Sequence, residues 1–229
     1  MRLTVDKAYY DMGIKTIVFS VIKDIDMGAL NPRTESFIID QGNKALAYSD
    51  EILNNDVILG YREMVKSVGR SIKKFPPTAE ALISNINRRK SLMRVNGVVD
   101  IYNAHTISNF LAVGAHDMRK TEGDIYFTFA KGDEIFYPIG GGEKKALEGD
   151  YIYKDDNGIM AHLDARDSEL YKIDNDTRDI ILIIQGNKYT DTTYRINALN
   201  AICNDIVSNF NGEYQIFSVD AGGSILLDY

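Results

Sequence analysis

The chain has 229 residues, of which 45% are hydrophobic, enough to bury the core of one large domain or two small ones. Its net charge of −7 argues against a protein that binds nucleic acid non-specifically over its whole surface. No segment approaches the length of a membrane span, no signal-peptide core follows Met1, and the single cysteine excludes an intramolecular disulfide, so the expected location is cytoplasmic.

The first half of the chain predicts one strand followed by helices. Thr16 to Ile22 is apolar and β-branched, which is typical of a buried strand, and residues 34–68 predict irregular helix. A helix is predicted from Thr78 to Arg89, with a run of basic residues at its C-terminal end, where the helix dipole favours cations. A second helix is predicted from Asn96 to Phe110.

The second half predicts short strands separated by turns rich in Gly and Asp. The candidate strands are Asp124–Phe129, Glu134–Pro138, Asp150–Tyr153, Gly158–His162 and Asp179–Gln185. Their close spacing indicates an antiparallel β core. An amphipathic helix follows from Ile196 to Phe210, with Cys203 on its apolar face as a core residue, and Gln215 to Val219 predicts a closing strand.

Positive charge is concentrated between Arg62 and Arg94. This window holds nine Lys and Arg residues against Glu63 and Glu80, a net charge of +7, which leaves −14 for the rest of the chain. Such a patch on an acidic body could bind a phosphate backbone at one face, and the same charges would also suit solvated helix faces. The candidate RNA-binding residues are Arg70, Lys73, Lys74, Arg88, Arg89, Lys90 and Arg94.

Several common functional motifs are absent from the sequence. No spacing of His and Cys fits a zinc site, and there is no Gly-rich phosphate-binding motif and no nucleophile elbow. Gly140-Gly141-Gly142 lies in a predicted hairpin, where it is interpreted as a turn or as backbone that approaches a ligand. Neither a metal nor a cofactor is predicted.

The segment from Asn96 to Met118, NGVVDIYNAHTISNFLAVGAHDM, carries a family resemblance. It resembles the N-x-V-D-x-x-N segment, followed by a Gly and an aromatic-Asp-Leu motif, of the editing domain in bacterial phenylalanyl-tRNA synthetase β subunits. Four later pieces keep the order of that family: Gly123-Asp124-Ile125; Lys131-Gly132-Asp133-Glu134 before Pro138-Ile139-Gly140-Gly141; Gly149-Asp150-Tyr151-Ile152-Tyr153 with Gly158; and Arg166-Asp167-Ser168 with Asp176-Thr177. The similarity covers residues 75–185, without a synthetase catalytic module, and resembles a free-standing B3/B4 domain.

The resemblance implies a fold and a domain organisation. The expected fold is α+β: an antiparallel β-sandwich of unusual topology in three layers, with flanking helices. Residues 1–229 are expected to form a single editing-type domain. In it, an N-terminal portion, residues 1–74, packs on a core of residues 75–185, and residues 186–229 add a helix and a strand.

The resemblance also implies trans-editing, the hydrolysis of a mischarged aminoacyl-tRNA by a domain that works alone. The partner is then tRNA, with no DNA, no membrane and no metal involved. An aminoacyl ester is already activated, so the site need only hold the acyl end, place one water and stabilise the developing oxyanion, with help from the adjacent ribose hydroxyl. Two alternatives stay open: a non-catalytic tRNA- or RNA-binding module, and a binder or hydrolase of a small amino-acid-like ligand.

The site is expected where the segment Asn96 to Asp117 meets the loops that carry Gly140-Gly141 and Arg166-Asp167. The candidate catalytic residues are Asn103 to hold the ester or ribose, His116 to orient water after a Gly-Ala turn, and Arg166 to clamp a phosphate or carboxylate. The candidate substrate-binding residues are Asn96, Asp100, Gly114, Asp117, Gly140, Gly141, Asp167 and Glu169.

Several of these candidates also have a structural interpretation. Asp100 and Asn103 could hold helix to sheet through buried hydrogen bonds, and His116 could be a polar residue of a loop. Asp117 could cap the following turn, and Arg166 could pair with an acid of its own loop, which contains Asp164, Glu169, Asp174 and Asp176.

Three positions depart from the family pattern. Gly114 stands where the synthetase has a histidine, His116 replaces the aromatic residue of the aromatic-Asp-Leu motif, and Arg94 replaces a common proline. Because substrate identity in the family depends on such positions, the resemblance does not specify which amino acid is removed.

Overall fold

The structure, a computed structural model, describes residues 1–48 and 50–227 and contains five α-helices in that part of the chain. The helices are α1 (Pro32–Ala47), α2 (Asp56–Ser67), α3 (Thr78–Arg89), α4 (Gly97–Asn109) and α5 (Thr192–Phe210). Short 3₁₀ helices cover Lys7–Met12, Asp50–Asn54, Met118–Lys120 and Glu169–Tyr171.

The strands form two sheets and a separate hairpin. They are β1 (Arg2–Val5), β2 (Thr16–Lys23), β3 (Gly114–Asp117), β4 (Ile125–Phe129), β5 (Ile135–Phe136), β6 (Lys144–Lys145), β7 (Tyr151–Lys154), β8 (Ile159–His162), β9 (Arg166–Asp167), β10 (Ile180–Ile184), β11 (Glu213–Asp220) and β12 (Ser224–Leu226). One sheet has the order β12-β1-β4-β7-β8-β9, the other has the order β11-β2-β10-β3, and β5 pairs with β6. Neighbouring strands are antiparallel except for β1 and β4.

The four-stranded sheet is the middle of three layers. Phe19 and Ile183 pack toward the six-stranded sheet in a cluster with Tyr153, whereas Val18 and Leu182 pack toward the helices. Since successive residues of a strand face opposite sides, burial of both faces requires the continuous apolar runs of β2 and β10. The predicted α+β fold, a largely antiparallel sandwich with helices outside, is therefore confirmed.

Local sequence signals set the ends of the helices that pack on this sheet. The Asn96 side chain accepts a hydrogen bond from the Val99 amide at 3.0 Å and begins α4, which ends at Phe110 in the left-handed region. On α5 the apolar face is buried and includes Cys203, whose thiol lies 3.1 Å from the Ser20 hydroxyl. Burial raises the pKa of Cys203 to about 12, which suits its interpretation as a core residue.

Five short strands were not predicted: β1, β3, β6, β9 and β12, each of two to four residues. The expected Gly-Ala turn before His116 is wrong, because Gly114–Asp117 is a strand that pairs with β10, with Ala115 opposite Leu182. Its sequence, Gly-Ala-His-Asp, lacks the β-branched residues typical of strands, so the pairing with β10 decides its conformation.

Candidate functional site

Two cavities share Arg166 as a lining residue. Cavity I has a volume of about 120 Å³ and is lined by Thr78, Tyr102, Asn103, Ala112, Val113, Gly114, Tyr153, Ala161, Asp164, Ala165, Arg166 and Asp167. Cavity II has a volume of about 390 Å³ and is lined by Lys74, Phe75, Phe136, Pro138, Ile139, Gly140, Gly141, Lys144, Lys145, His162 and Arg166. Six of the eleven predicted catalytic and substrate-binding residues therefore line one or both cavities: Asn103, Gly114, Gly140, Gly141, Arg166 and Asp167.

The turn between β8 and β9 positions the polar wall of cavity I. Leu163 and Asp164 both adopt the left-handed region, with φ values of 57° and 48°, which L-residues seldom occupy. The Thr78 hydroxyl donates a 2.7 Å hydrogen bond to the Asp164 carbonyl, and this bond fixes the turn against the start of α3. The tight turn brings Asp164, Arg166 and Asp167 to the same cavity.

The carboxylates of cavity I are withdrawn from water. One oxygen of Asp164 accepts a hydrogen bond from the Gln185 amide, and the other is buried without a partner among the described residues. Burial raises the pKa of Asp164 to about 7. The hydrogen bond from Gln185 acts to lower this pKa, and the charge of Asp167 acts to raise it. Burial also raises the pKa of Asp167 to about 7, opposed by a 3.5 Å contact from the Ala115 amide. Raised carboxyl pKa values inside a cavity are typical of functional sites.

Asn103 and Arg166 keep their side chains available in this site. The Asn103 amide lines cavity I from α4 and has no hydrogen-bond partner within residues 1–48 and 50–227. Arg166 is exposed and forms no ion pair with any residue of the same ranges, so the alternative of an ion pair within its loop is not found. Both side chains could therefore donate hydrogen bonds to a ligand.

The Tyr153 hydroxyl explains why position 114 is glycine. A Cβ on residue 114 would overlap that hydroxyl, which lies 2.6 Å from Nε2 of His116. His116 is fully buried, its Nδ1 lacks a partner among the described residues, and burial lowers its pKa to about 3. The imidazole therefore stays neutral near pH 7, because desolvation disfavours the charged ring.

Five predicted residues lie outside both cavities: Asn96, Asp100, His116, Asp117 and Glu169. Asp100 pairs with Arg94 at 2.7 Å and accepts a hydrogen bond from the Val95 amide. Asp117 caps the 3₁₀ turn after β3 and accepts a 2.8 Å bond from the Thr177 hydroxyl. Asn96 caps α4, and Glu169 forms an exposed pair with Lys172. These contacts agree with the structural interpretation of Asp100 and Asp117.

Cavity II combines cations with aromatic rings. Lys74, Lys144, Lys145 and Arg166 supply positive charge, while Phe75, Phe136 and His162 supply rings. Gly140 has a φ of 71° in a turn closed by a 2.9 Å bond from the Gly141 amide to the Pro138 carbonyl. The predicted turn thus also forms a cavity wall.

A buried ion-pair network supports the wall of cavity II that carries His162. Nε2 of His162 lies 2.8 Å from Asp150, which also pairs with Arg70. Burial raises the pKa of Asp150, but hydrogen bonds from His162, the Leu147 amide and Arg70 outweigh it and hold that pKa below its usual value. The network fixes the histidine ring between Phe75 and Phe136.

The basic window of the sequence does not form one patch. Arg62 pairs with Glu80, Arg70 with Asp150, and Arg94 with Glu35 and Asp100. Lys73 and Lys74 are exposed beside cavity II, whereas Arg88, Arg89 and Lys90 lie at the far end of α3. That helix is about 18 Å long at 1.5 Å per residue, so the exposed cations form two separated groups.

Sequence reasoning missed three kinds of site residue. In the sequence Asp164 is only one member of an acidic loop, Tyr102 and Tyr153 lie inside the family motifs without an assigned role, and Lys144 and Lys145 fall outside the basic window. Asp164 adopts the left-handed backbone region although it is not a glycine, so the sequence gives no signal for this turn. Only the fold reveals that its carboxylate is buried.

The fold is an α+β sandwich, and cavity I lies where its helical layer meets its two sheets. The chain matches the B3/4 domain family over residues 60–207, about two thirds of its length, and it belongs to that family. The resemblance found in the sequence is thereby confirmed.

A solved structure gives a second comparison. The N-terminal fragment of the phenylalanyl-tRNA synthetase β subunit from Pyrococcus horikoshii is 14% identical, with a TM-score of 0.49 over 93% of this chain and 49% of that chain. The present chain thus spans about half the length of that fragment. The comparison with curated proteins finds no match. Among the described helices, none is long and apolar enough to cross a membrane.

Proposed function

We propose that this domain hydrolyses the ester of a mischarged aminoacyl-tRNA, with the acyl group in cavity I and the terminal nucleotide in cavity II. The observation that carries the proposal is the position of Arg166, which lines both cavities. An aminoacyl-nucleotide has its ester between a small acyl group and an anionic nucleotide. The small cavity and the larger cationic cavity match these two parts in size and charge.

Cavity I supplies donors for the reacting ester. Water adds its oxygen to the carbonyl carbon, the bond from that carbon to the ribose oxygen breaks, and the ribose oxygen leaves with a proton. The carbonyl oxygen carries negative charge in between, and the Arg166 guanidinium and Asn103 amide are the unpaired donors that can stabilise it. Because the ester is already activated, positioning supplies most of the acceleration needed.

Cavity II suits the nucleotide end. The cations Lys74, Lys144 and Lys145 favour phosphate oxygens, and Arg166 can bind them in bidentate fashion. The partly exposed Phe75 offers a ring on which a base can stack, an interaction that tolerates any base identity. These features support an RNA substrate over a free amino-acid ester.

Deacylation of a panel of mischarged tRNAs tests the proposal. We expect hydrolysis of at least one member, slowed tenfold or more in Asn103→Ala, because a positioned hydrogen-bond donor to the oxyanion is removed. Asn43→Ala removes an exposed asparagine of α1 that lines neither cavity and should leave the rate unchanged.

Other outcomes separate the alternatives. Tight tRNA binding without turnover on any member of the panel would favour a non-catalytic RNA-binding module. Hydrolysis of free aminoacyl esters at the same rate as aminoacyl-tRNA would favour a small-molecule hydrolase.

A further inference from the structure

Cavity I contains two carboxylates that lack a cationic partner. Other buried acids among the described residues are compensated: Asp100 by Arg94, Asp150 by Arg70 and His162, and Asp117 by Lys120 and the Thr177 hydroxyl. Asp155 has no cationic partner but accepts hydrogen bonds from three backbone amides and the Tyr171 hydroxyl. Among the described residues, no Lys, Arg or His nitrogen lies within 4 Å of a carboxylate oxygen of Asp164 or Asp167. The free oxygen of Asp164 is buried without any hydrogen bond, in a residue that lines the cavity.

Unpaired buried carboxylates are costly to the folded state. A carboxylate withdrawn from water must gain hydrogen bonds, a proton or a cation. Burial raises the pKa of both carboxyls to about 7, so a proton compensates each of them about half of the time at neutral pH. A bound cation would offer the same compensation, and the cavity has room for one.

The size and lining of the cavity specify the kind of cation. Its volume of about 120 Å³ equals that of about four water molecules at about 30 Å³ each. A primary ammonium group is small and has three donors, which suits two carboxylates and the unpaired carbonyl of Asn103. The rings of Tyr102 and Tyr153 also line the cavity and can favour a cation.

We infer that the carboxylates of Asp164 and Asp167 bind the α-ammonium group of the aminoacyl moiety, so that the substrate must carry a free amino group. The inference rests on the proposed function and names its substrate class: small aminoacyl esters with an unblocked amine. Acylation of the amine removes the positive charge that the two carboxylates would bind. N-acylaminoacyl and peptidyl esters are therefore excluded.

Binding of non-hydrolysable analogues tests the inference on the full chain. Adenosine that carries glycine, alanine or serine in amide linkage at its 3′ position is titrated calorimetrically, beside its N-acetyl derivative. For the best of the three we expect at least tenfold tighter binding of the free amine. Asp164→Asn and Asp167→Asn should each reduce this preference several-fold, whereas Asp133→Asn, an exposed residue outside both cavities, should retain it.

The outcomes separate this inference from the proposed deacylase. Equal affinity for free and acetylated analogues, or failure of all three free amines to bind, would overturn it, and this wild-type comparison does not depend on the folding of any variant. A free-amine preference without hydrolysis of any aminoacyl-tRNA would support the ammonium site and overturn the deacylase. Equal hydrolysis of aminoacyl- and N-acetylaminoacyl-tRNA would support the deacylase and overturn the ammonium site.

Discussion

Cavity I and cavity II share Arg166 but are built in opposite ways. Cavity I holds the partly buried carboxylates of Asp164 and Asp167, whereas the cations of cavity II, among them Lys144 and Lys145, are exposed. Buried charges are expensive and sensitive to the exact partner, and exposed charges are inexpensive and act at longer range. Under the proposed function, cavity I selects the ligand and cavity II attracts it.

Salt separates the two contributions. Charges exposed to solvent are screened over about 8 Å at physiological ionic strength, while charges enclosed by protein are screened much less. Attraction by cavity II should therefore weaken as salt rises, and selection by cavity I should persist.

The largest effect is expected at the residue that the cavities share. Arg166→Ala should slow deacylation by about a hundredfold, since an arginine at the ester both stabilises the oxyanion and binds the adjacent phosphate. Arg166→Lys keeps the charge but not the bidentate geometry and should recover only part of the rate. Single-turnover deacylation measures both.

Arg33→Ala serves as the control, because Arg33 is an exposed residue of α1 that lines neither cavity. If Arg166→Ala folded normally and retained the wild-type rate, the ester could not lie at the junction of the cavities.

Substitution of Gly114, which lines cavity I, should lower the stability of the folded protein. Gly114→Ala places a methyl group on the Tyr153 hydroxyl and should lower the free energy of unfolding by about 1–3 kcal/mol through overpacking. Tyr153→Phe removes that hydroxyl but deprives the His116 ring of its only hydrogen-bond partner among the described residues, so it also destabilises. The double variant should be destabilised by less than the sum of the two single effects, as urea denaturation will show.

Gly142→Ala is the matched control, since a Cβ there would meet no atom within 4 Å. Additive destabilisation in the double variant would mean that Tyr153 does not restrict position 114.

The ease of prediction differs between the helices and the cavity walls. Periodicity and the flanking residues placed α3, α4 and α5 within a few residues of their ends, and the apolar runs placed β2 and β10. In contrast, β3 and β9 are strands only because neighbouring strands pair with them. Their sequences offer no local signal for that pairing.

The candidate site shows the same limit. Family motifs identified Asn103, Arg166 and Asp167, which the fold brings to one cavity. No motif showed that Asp164 is buried without a cation or that the Tyr153 hydroxyl occupies the space beside Gly114. Both depend on contacts between residues far apart in the sequence, which only the packed layers create.

The raised carboxyl pKa values in cavity I predict how stability depends on pH. The pKa of Asp164 is about 7 in the folded state and about 3.9 when unfolded, so the folded state holds a proton that the unfolded state has released between these values. The contribution of Asp164 is therefore full below about pH 4 and is lost as pH rises toward 7. Asp164→Asn should be more stable than the wild type at pH 8 by about 1–2 kcal/mol, with little difference at pH 4.

Thermal or urea unfolding at the two pH values measures this difference, with the exposed Asp133→Asn as a control expected to show none. A variant that is less stable than the wild type at pH 8 would show that the ionised Asp164 carboxylate is compensated in the folded protein.

The smallest effects should come from the exposed cations, and they test whether tRNA reaches beyond cavity II. Lys144 and Lys145 lie in cavity II, whereas Arg88, Arg89 and Lys90 lie about one helix length from Thr78. If tRNA binds to both groups, Ala substitution of either group should weaken binding. It should also flatten the log–log dependence of binding on salt by somewhat under one unit for each phosphate that the variant no longer neutralises.

Filter binding between about 50 and 200 mM salt measures the slope. Lys7→Ala with Lys15→Ala, exposed residues that line neither cavity, should leave the slope unchanged. A normal slope in the triple variant at the end of α3 would show that those cations are only a solvated helix face, and RNA binding would then be confined to the nucleotide cavity.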